Sequence, residues 1–312
     1  MTFSDIDDVE RGLRAAGYLA DKRITTAVLL GVKLEKPILV EGPAGVGKTE
    51  LARAMAEAQG RELIRLQCYE GIDESRALYE WEYAKQLLYT QLLRDHLQEV
   101  VGKTKKLADA VDALSRTDSI FFSEHFLLPR PLLQAIRSPK PALLLIDEID
   151  KADPELEALL LEILSDFAVT IPEIGTIRAV TKPQVVLTSN ASRELSDALR
   201  RRCLHLTIPY PDRARELAIV RARVPGVDEA LARAVVGAVQ KIRTLDLRKA
   251  PSISEVIDWT RALGLLGRGV LDEGTLQDTL CVLLKHKDDA ALVTQKRADV
   301  INASRDSPST SE

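Results

Sequence analysis

The stretch that decides the fold reads Pro37-Ile38-Leu39-Val40-Glu41-Gly42-Pro43-Ala44-Gly45-Val46-Gly47-Lys48-Thr49-Glu50-Leu51. Its first four residues form a short apolar run, which is typical of a buried strand. A glycine-rich loop follows, and the alanine- and leucine-rich segment after it favours a helix. Gly42, four intervening residues and then Gly47-Lys48-Thr49 match the complete phosphate-binding loop. The stretch therefore predicts a strand, a loop and a helix that together bind nucleotide phosphates.

The residue types of this loop suit that chemistry. Glycines allow backbone N–H groups to converge on phosphate oxygens, and the N-terminus of the following helix adds partial positive charge. We expect Lys48 to reach the β- and γ-phosphates of ATP and the hydroxyl of Thr49 to bind Mg²⁺. The predicted nucleotide-binding residues of the loop are Gly42, Pro43, Ala44, Gly45, Val46, Gly47, Lys48, Thr49 and Glu50.

The bulk composition excludes several classes of protein. The 312 residues are 46% hydrophobic and 29% charged, enough for a large core and two domains. The net charge of −4 offers no overall basic field for nucleic acid, so a nucleic-acid partner is not expected. No apolar run approaches the ~20 residues of a membrane span, and the acidic N-terminus is unlike a signal peptide. We expect a cytoplasmic protein whose three scattered cysteines, Cys68, Cys203 and Cys281, are buried and reduced.

A second motif follows the apolar run from Ala142 to Ile146, which predicts another buried strand. Two adjacent carboxylates, Asp147 and Glu148, stand at its C-terminal end, and ligands of open α/β sheets bind at that edge. Asp147 is placed to hold Mg²⁺, and Glu148 is the candidate that orients and polarises the attacking water.

Two further polar features come later in the chain. The strand predicted at 185–188 ends in Ser189-Asn190, and the Asn190 amide could contact the γ-phosphate or the water. Three arginines, Arg200, Arg201 and Arg202, end the next predicted helix. Arginines at such a position can complete the site of a neighbouring subunit, as trans-acting fingers do in phosphoryl transfer.

The pattern of predicted elements divides the chain into two domains and a tail. Residues 1–208 are predicted to form an α/β nucleotide-binding domain, with a helical lead-in at 1–36 and a mainly helical insertion at about 73–138. After Pro209-Tyr210-Pro211 the pattern becomes all-helical, and 209–303 are predicted to form a lid domain. Residues 304–312 are predicted to be disordered. Within the insertion, five leucines at helical spacing are expected to face a core, a basic run at 103–106 is expected to be solvated, and Phe121, Phe122 and Phe126 are expected to pack. The leucines are Leu87, Leu88, Leu92, Leu93 and Leu97.

The ordered set of motifs resembles an AAA+ ATPase. The phosphate loop, Leu-Leu-Leu-Ile-Asp-Glu, a hairpin predicted at 169–180, Thr-Ser-Asn, an arginine-rich helix end and a helical lid occur in that order. The nearest resemblance is to the MoxR family, particularly its members in the maturation of carbon monoxide dehydrogenase and related molybdenum hydroxylases. The segments that carry this resemblance are 67–73, 79–83, 198–203 and 247–255.

The resemblance implies a fold and a set of roles. The fold is an α/β P-loop core, with a parallel five-stranded sheet, helices on both faces, a helix-2 insertion and a pre-sensor hairpin, plus a small helical lid. The insertion and the hairpin would face a central pore. The implied roles are Lys48 and Thr49 at phosphate and Mg²⁺, Asp147 at Mg²⁺, Glu148 as catalytic base, Asn190 as polar sensor, Arg202 or else Arg201 as arginine finger, and Arg248 or Lys249 as lid sensor.

The resemblance also implies how such a machine works. It would be a homo-oligomer, expected as a hexameric ring, that hydrolyses ATP with Mg²⁺ and remodels a protein client. The client would be a molybdenum enzyme or another metalloenzyme, with a von Willebrand factor A domain protein as a possible partner. Two alternatives stay open at this point, a DNA-associated motor or loader with the same core and a nucleotide-gated scaffold that hardly hydrolyses ATP.

Overall fold

The computed structural model describes residues 3–89, 91 and 123–305. The described residues form a five-stranded sheet in the order β2-β5-β8-β1-β9 and two two-stranded sheets, β3-β4 and β6-β7. The strands are β1 Ile38–Glu41, β2 Glu62–Gln67, β3 Tyr79–Trp81, β4 Leu127–Pro129, β5 Ala142–Asp147, β6 Ala168–Ile171, β7 Gly175–Arg178, β8 Gln184–Ser189 and β9 Leu204–Thr207. The helices are Ile6–Ala15, Lys22–Lys33, Lys48–Gln59, Glu74–Ala77, Pro131–Arg137, Pro154–Asp166, Asp197–Arg202, Arg213–Arg223, Glu229–Ile242, Ile253–Leu265, Glu273–Leu283, Lys287–Gln295 and Arg297–Arg305.

The sheet confirms the predicted parallel α/β core. β5 pairs in parallel with β2 on one side and with β8 on the other, and Gln67 lies opposite Asp147 in the register. All six residues of β5 are buried, as the continuous apolar run predicts for a strand covered on both faces. Since parallel strands end at one edge, the C-terminal residues of β2, β5 and β8 lie together there.

The elements after β5 follow from local sequence signals. Pro154 occupies the first turn of its helix, where a missing N–H costs nothing, and the helix ends at Phe167, which adopts a left-handed conformation with φ of 46°. The predicted hairpin is present as β6 and β7, which pair antiparallel with Thr170 opposite Thr176.

The described residues of the segment at 73–138 are mostly helical. The segment also contains the antiparallel strands β3 and β4, and its last helix, Pro131–Arg137, is buried against the core. Leu87 and Leu88 are 61% and 53% exposed, so the prediction that they face a core is wrong. Helical spacing identifies an apolar stripe but not what covers it. Phe126 is buried, as predicted. The other leucines at 92, 93 and 97, the basic run at 103–106 and the phenylalanines at 121 and 122 lie outside the described residues.

The chain forms two compact units that do not follow the chain order. The first comprises Met1–Gly12, Lys22–Val40 and Ala52–Leu206, and the second comprises Leu13–Asp21, Glu41–Leu51 and Thr207–Glu312. The helices after Arg213 thus share a unit with the phosphate loop. The disordered tail is predicted to begin at 304, but Ser304 and Arg305 belong to the helix Arg297–Arg305, in which Ser304 is buried, so the prediction is wrong for these two residues. Residues 306–312 lie outside the described residues.

The second unit has its own core around Trp259, which is fully buried and donates from Nε1 to Thr279 Oγ1 at 2.7 Å. Ser252 and Glu255 form the predicted capping box at the start of Ile253–Leu265. Arg243 and Glu216 form an almost completely buried ion pair in this unit, with Nη2 and Oε1 2.8 Å apart.

Two predictions about the whole chain can be compared with the described residues. No helix in 3–89, 91 or 123–305 has the length and apolarity to cross a membrane. Cys68 and Cys203 are buried and free, as predicted. Cys281 is free but exposed, because it lies on the outward face of Glu273–Leu283, so its predicted burial is wrong.

Candidate nucleotide-binding site

The phosphate loop needs glycine at two positions because other backbone and side-chain atoms approach it closely. A Cβ on Gly42 would lie 2.1 Å from the carbonyl oxygen of Ile208. A Cβ on Gly45, whose φ is +72°, would lie 2.3 Å from Cβ of Ser252. The carbonyl of Gly45 also accepts a hydrogen bond from the N–H of Ile253 at 3.2 Å. The loop is therefore packed against the first turn of the helix Ile253–Leu265.

Lys48 lies at the start of the helix that follows the loop. Its side chain is buried, and Nζ donates to the carbonyl oxygens of Gly42 at 2.7 Å and Pro43 at 2.8 Å. The ammonium group is thus held over the loop, beside the N–H groups of the first helical turn. This arrangement of positive charge and backbone donors fits a phosphate group.

A cavity of about 160 Å³ adjoins the loop within the second unit. Its walls are largely apolar and include Tyr18, Ile208 and Ile257. Burial raises the pKa of Tyr18, so its hydroxyl stays neutral at physiological pH. A small, mostly apolar cavity next to a phosphate site suits the base of a nucleotide.

Two arginines fix the polar border of this cavity. Arg215 donates to the carbonyl oxygen of Leu19 at 3.0 Å and pairs with Asp21 at 2.6 Å. Arg223 pairs with Glu50, which follows the predicted Mg²⁺ ligand Thr49 in the chain. Both arginines line the cavity, so its border is charged.

In the first unit, β5 ends in the buried carboxylate of Asp147. Its Oδ1 accepts a hydrogen bond from Thr188 Oγ1 at 2.5 Å, and its Oδ2 pairs with Arg65 Nη2 at 2.6 Å. Carboxylate oxygens are ligands that Mg²⁺ prefers in proteins, so Asp147 has suitable chemistry for that ion.

Glu148 adopts a left-handed conformation, with φ of 57°, directly after the strand. Its N–H donates to Thr188 Oγ1 at 2.9 Å. Its carboxylate accepts from Asn190 Nδ2 at 3.4 Å, from Gln67 Nε2 at 3.2 Å and from Lys151 Nζ at 2.6 Å. The predicted base and the predicted polar sensor are therefore in contact, and two further side chains hold the carboxylate.

Asp150 organises the turn that carries Asn190. This buried carboxylate accepts hydrogen bonds from the N–H of Asn190 at 3.2 Å, the N–H of Ser192 at 3.0 Å and the hydroxyl of Ser192 at 2.6 Å. Burial acts to raise the pKa of Asp150, but these hydrogen bonds outweigh it and lower the pKa below its ordinary value. The Asn190 turn is thus fixed by a charged acceptor.

The other predicted site residues are arginines and a lysine at the ends of elements. Arg201 and Arg202 are exposed at the end of Asp197–Arg202, and Arg202 donates to Ser165 Oγ. Arg248 and Lys249 lie before the helix Ile253–Leu265 rather than in it, because Ser252 is its N-cap. Their backbone N–H groups donate to Asp289, and their side chains are exposed.

Sequence reasoning missed several residues that shape this site. Arg65 and Thr188 reach Asp147 across 82 and 41 positions of the chain, and Gln67 reaches Glu148 across 81. No local sequence pattern identifies them. The parallel pairing of β2, β5 and β8 could have identified Gln67 and Thr188, because it places both at strand ends beside the acidic pair. Asp150 and Lys151 are close to the acidic pair in the sequence, but the motif assigns them no role.

Comparison with known proteins identifies the family. Residues 37–203 match the AAA domain of the dynein-related subfamily. Gas vesicle ATPase GvpN2 of Halobacterium salinarum is 26% identical over 230 residues, which cover 71% of this chain and 60% of that protein. Gas vesicle ATPase GvpN of Ancylobacter aquaticus is 27% identical over 244 residues, 75% of this chain and 62% of that protein. Chaperone protein ClpB 2 of Thermosynechococcus vestitus is 30% identical over 158 residues, 50% of this chain and 14% of that protein.

The chain thus spans about 60% of the length of the two gas vesicle relatives. The family match covers more than half of the chain and runs from the residue before β1 to the residue after the three arginines. Phosphate loop, acidic strand end, Asn190 turn and arginine-rich helix end all fall inside it. The protein belongs to the AAA domain family, dynein-related subfamily.

Proposed function

We propose that the protein hydrolyses ATP, with Glu148 as the base that polarises the attacking water. The observation that carries this proposal is the Glu148 carboxylate, which the amide of Asn190 contacts at 3.4 Å at the C-terminal end of β5. A chain with a complete phosphate loop and a carboxylate oriented in this way has the parts that phosphoryl transfer to water needs.

The remaining roles follow from the same chemistry. Lys48 and the loop N–H groups bind phosphate oxygens, and Thr49 and Asp147 hold Mg²⁺. When bound, Mg²⁺ neutralises charge that develops on the phosphate oxygens. Asn190 orients the water or the γ-phosphate. Arg248 or Lys249 senses the nucleotide from the helical unit.

Oligomerisation would complete the site. Arg202, or else Arg201, reaches the nucleotide of the next subunit in a homo-oligomeric ring, for which we propose a hexamer. Both side chains are exposed, as a residue that acts on a neighbour must be. Loss of such a finger should lower turnover by about 10³-fold.

ATP hydrolysis would drive the remodelling of a protein client. The sequence segments that resemble MoxR proteins support a role in the maturation of a metalloenzyme. The same resemblance supports a partner with a von Willebrand factor A domain. Similarity to proteins named gas vesicle ATPase and chaperone ClpB supports work on protein assemblies more broadly.

The test of hydrolysis compares the wild-type protein with Glu148→Gln. We expect the variant to bind a fluorescent ATP analogue as tightly as the wild type and to lose ATP turnover. Asp166→Asn, an exposed acidic residue at the end of its helix, is the matched control and should keep full turnover. Equal turnover in the wild type and Glu148→Gln would contradict the assignment of Glu148.

The test of the client uses the same variant as a trap. Glu148→Gln loaded with ATP is incubated with native extract, and the bound proteins are identified with and without nuclease. A metalloenzyme subunit that remains after nuclease treatment supports maturation. Recovery that disappears with nuclease contradicts it and favours a DNA-associated motor.

A further inference from the structure

A second cavity, of about 360 Å³, lies in the first unit at the opposite edge of the sheet from Asp147. Its lining includes Pro37 just before β1, Pro141 just before β5, and Pro183 and Gln184 where β8 begins. These are the amino-terminal ends of the strands, whereas the family motifs occupy the carboxyl-terminal ends. None of the roles proposed above uses this cavity.

Its charged lining is predominantly cationic. Arg61, Lys36 and Lys182 contribute three positive charges, and Glu35 contributes one negative charge. Lys182 pairs with Glu35 at 2.8 Å, so that pair is close to neutral. The side chain of Lys36 has no hydrogen-bond or ion-pair partner within the described part of the chain. The cavity therefore keeps two uncompensated cations, on Arg61 and Lys36.

Arg61 is fixed in place but not saturated. Its Nε donates to Gln59 Oε1 at 3.1 Å, and its Nη1 donates to the carbonyl oxygen of Ala142 at 3.3 Å. A guanidinium carries five N–H donors and stays charged in proteins. Two bonds to neutral oxygens leave donors available for an anion, for which a planar guanidinium is well suited.

Gln184, which lines the same cavity, carries a buried amide donor without an acceptor among the described residues. Because Arg61 donates to Gln59 Oε1, Gln59 must turn its Nε2 toward Met55 O and toward Gln184 Oε1, at 3.1 and 2.8 Å. Gln184 is only 9% exposed, and its remaining group, Nε2, has no hydrogen-bond partner among the described residues. Protein atoms cover this N–H group, so it adds partial positive charge beside the cavity without contacting the occupant.

The rest of the lining is apolar. Val32, Pro37, Phe167, Pro183 and Val185 supply apolar surface, and Lys182 Nζ lies 5.9 Å from the centroid of the Phe167 ring. The cavity volume is at the small end of the range for organic ligands. An inorganic anion would leave this apolar surface without contacts.

We propose that the cavity binds a small organic carboxylate with a flat apolar body. The carboxylate contacts Arg61 and Lys36, and the apolar body packs among the prolines, Val32 and Phe167. The cavity is independent of the proposed ATP hydrolysis, and its test uses no nucleotide.

The experiment is calorimetric titration of the full chain with benzoate, together with benzamide as the neutral compound of the same shape. We expect benzoate to bind, to raise the melting temperature and to bind about tenfold more weakly to Arg61→Gln and to Lys36→Gln, since each removes a charged donor. We expect no binding of benzamide. Inorganic phosphate should bind more weakly than benzoate because it lacks the apolar body.

Two control variants complete the experiment. Arg178→Gln removes an exposed cation that does not line the cavity, and Lys48→Ala removes the cation of the phosphate loop. Both should bind benzoate as the wild type does. Lys36 is exposed, so Lys36→Gln remains informative even where Arg61→Gln lowers stability. Equal binding of benzoate and benzamide, equal loss in Arg178→Gln or in Lys48→Ala, or no benzoate binding would each overturn the proposal.

Discussion

The hydroxyl of Thr188 donates a hydrogen bond to the Asp147 carboxylate at 2.5 Å, from one strand of the sheet to the next. The same oxygen accepts the N–H of Glu148 at 2.9 Å. One fully buried hydroxyl therefore holds both acidic residues at the end of β5. It joins the proposed Mg²⁺ ligand to the backbone of the proposed base.

Thr188→Val keeps the shape of this side chain and removes both hydrogen bonds. We expect a loss of about 1–3 kcal/mol in the free energy of unfolding, because the N–H of Glu148 and Oδ1 of Asp147 each lose the hydrogen bond to Thr188. ATP turnover should fall as well. Urea unfolding and a turnover assay measure the two effects. Thr188→Ser should restore both, and Thr207→Val, at an exposed strand position, should change neither.

Gly45→Ala tests the close packing of the phosphate loop. The new Cβ would meet Ser252 at 2.3 Å in a left-handed backbone conformation, so the loop must change shape. We expect binding of a fluorescent ATP analogue to weaken at least tenfold. Gly71→Ala is the matched control, because Gly71 also has a positive φ, +78°, but has open space around it. Equal effects of the two substitutions would show that backbone strain, and not the contact with Ser252, is responsible.

Asp150→Asn removes the charge that fixes the Asn190 turn. Near neutral pH we expect a loss of about 1.5–3 kcal/mol in the free energy of unfolding, as for a hydrogen bond to a charged group. The lowered pKa of Asp150 means that its stabilising effect is complete above the ordinary value of 3.8 and is lost as pH falls through the lowered value.

The pH dependence supplies the measurement. The difference in unfolding free energy between the wild type and Asp150→Asn should be constant from pH 7 to about pH 5 and should shrink below the ordinary pKa of an aspartate. A difference that grew toward low pH would contradict the role assigned to this carboxylate.

Lys151→Gln tests the ammonium group that pairs with Glu148. The Lys151 Nζ is 2.6 Å from Glu148 Oε2 and occupies a carboxylate oxygen that could otherwise accept a hydrogen bond from the attacking water. We therefore expect the variant to turn over ATP a few-fold faster, with KM unchanged. Lys33→Gln, an exposed lysine outside the site, should behave as the wild type. A fall in turnover would instead mean that Lys151 holds Glu148 in its working position.

Arg243→Met tests the buried ion pair of the second unit. The substitution leaves Glu216 buried without its cation, and we expect a loss of about 3–5 kcal/mol in the free energy of unfolding. Arg233→Ala breaks an exposed pair with Glu229, which water screens, and should change the stability little. Thermal and urea unfolding distinguish the two, and similar costs would contradict the importance of burial.

The sequence allowed the nucleotide loop, the acidic strand end and the parallel sheet to be predicted because each is a local signal. The apolar run before Asp147 predicts a buried strand, and the glycine spacing at 42–47 is typical of a phosphate-binding loop. Arg65, Gln67 and Thr188 could not be predicted in the same way. Their partners lie 41 to 82 positions away, and only the pairing of the strands brings them together.

The leucines show the opposite failure. Leu87 and Leu88 have the spacing of an amphipathic helix, yet both are exposed, because periodicity gives the direction of an apolar face without its partner. The unit to which the phosphate loop belongs could not be predicted from local sequence either. Residues 41–51 belong to the helical unit and contact Ile208, Ser252 and Ile253, and no sequence motif predicts these contacts.

The contact between Gly45 and Ser252 has a mechanical consequence. Ser252 caps the helix Ile253–Leu265 with its hydroxyl, and its Cβ occupies the space that any side chain at position 45 would need. A rotation of that helix would also displace the loop, because the Ile253 N–H donates a hydrogen bond to the Gly45 carbonyl. The phosphate loop is thus the short arm of a lever, and the thirteen-residue helix is its long arm. A displacement of a fraction of an ångström at a bound phosphate would be enlarged along the helix to its far end at Leu265.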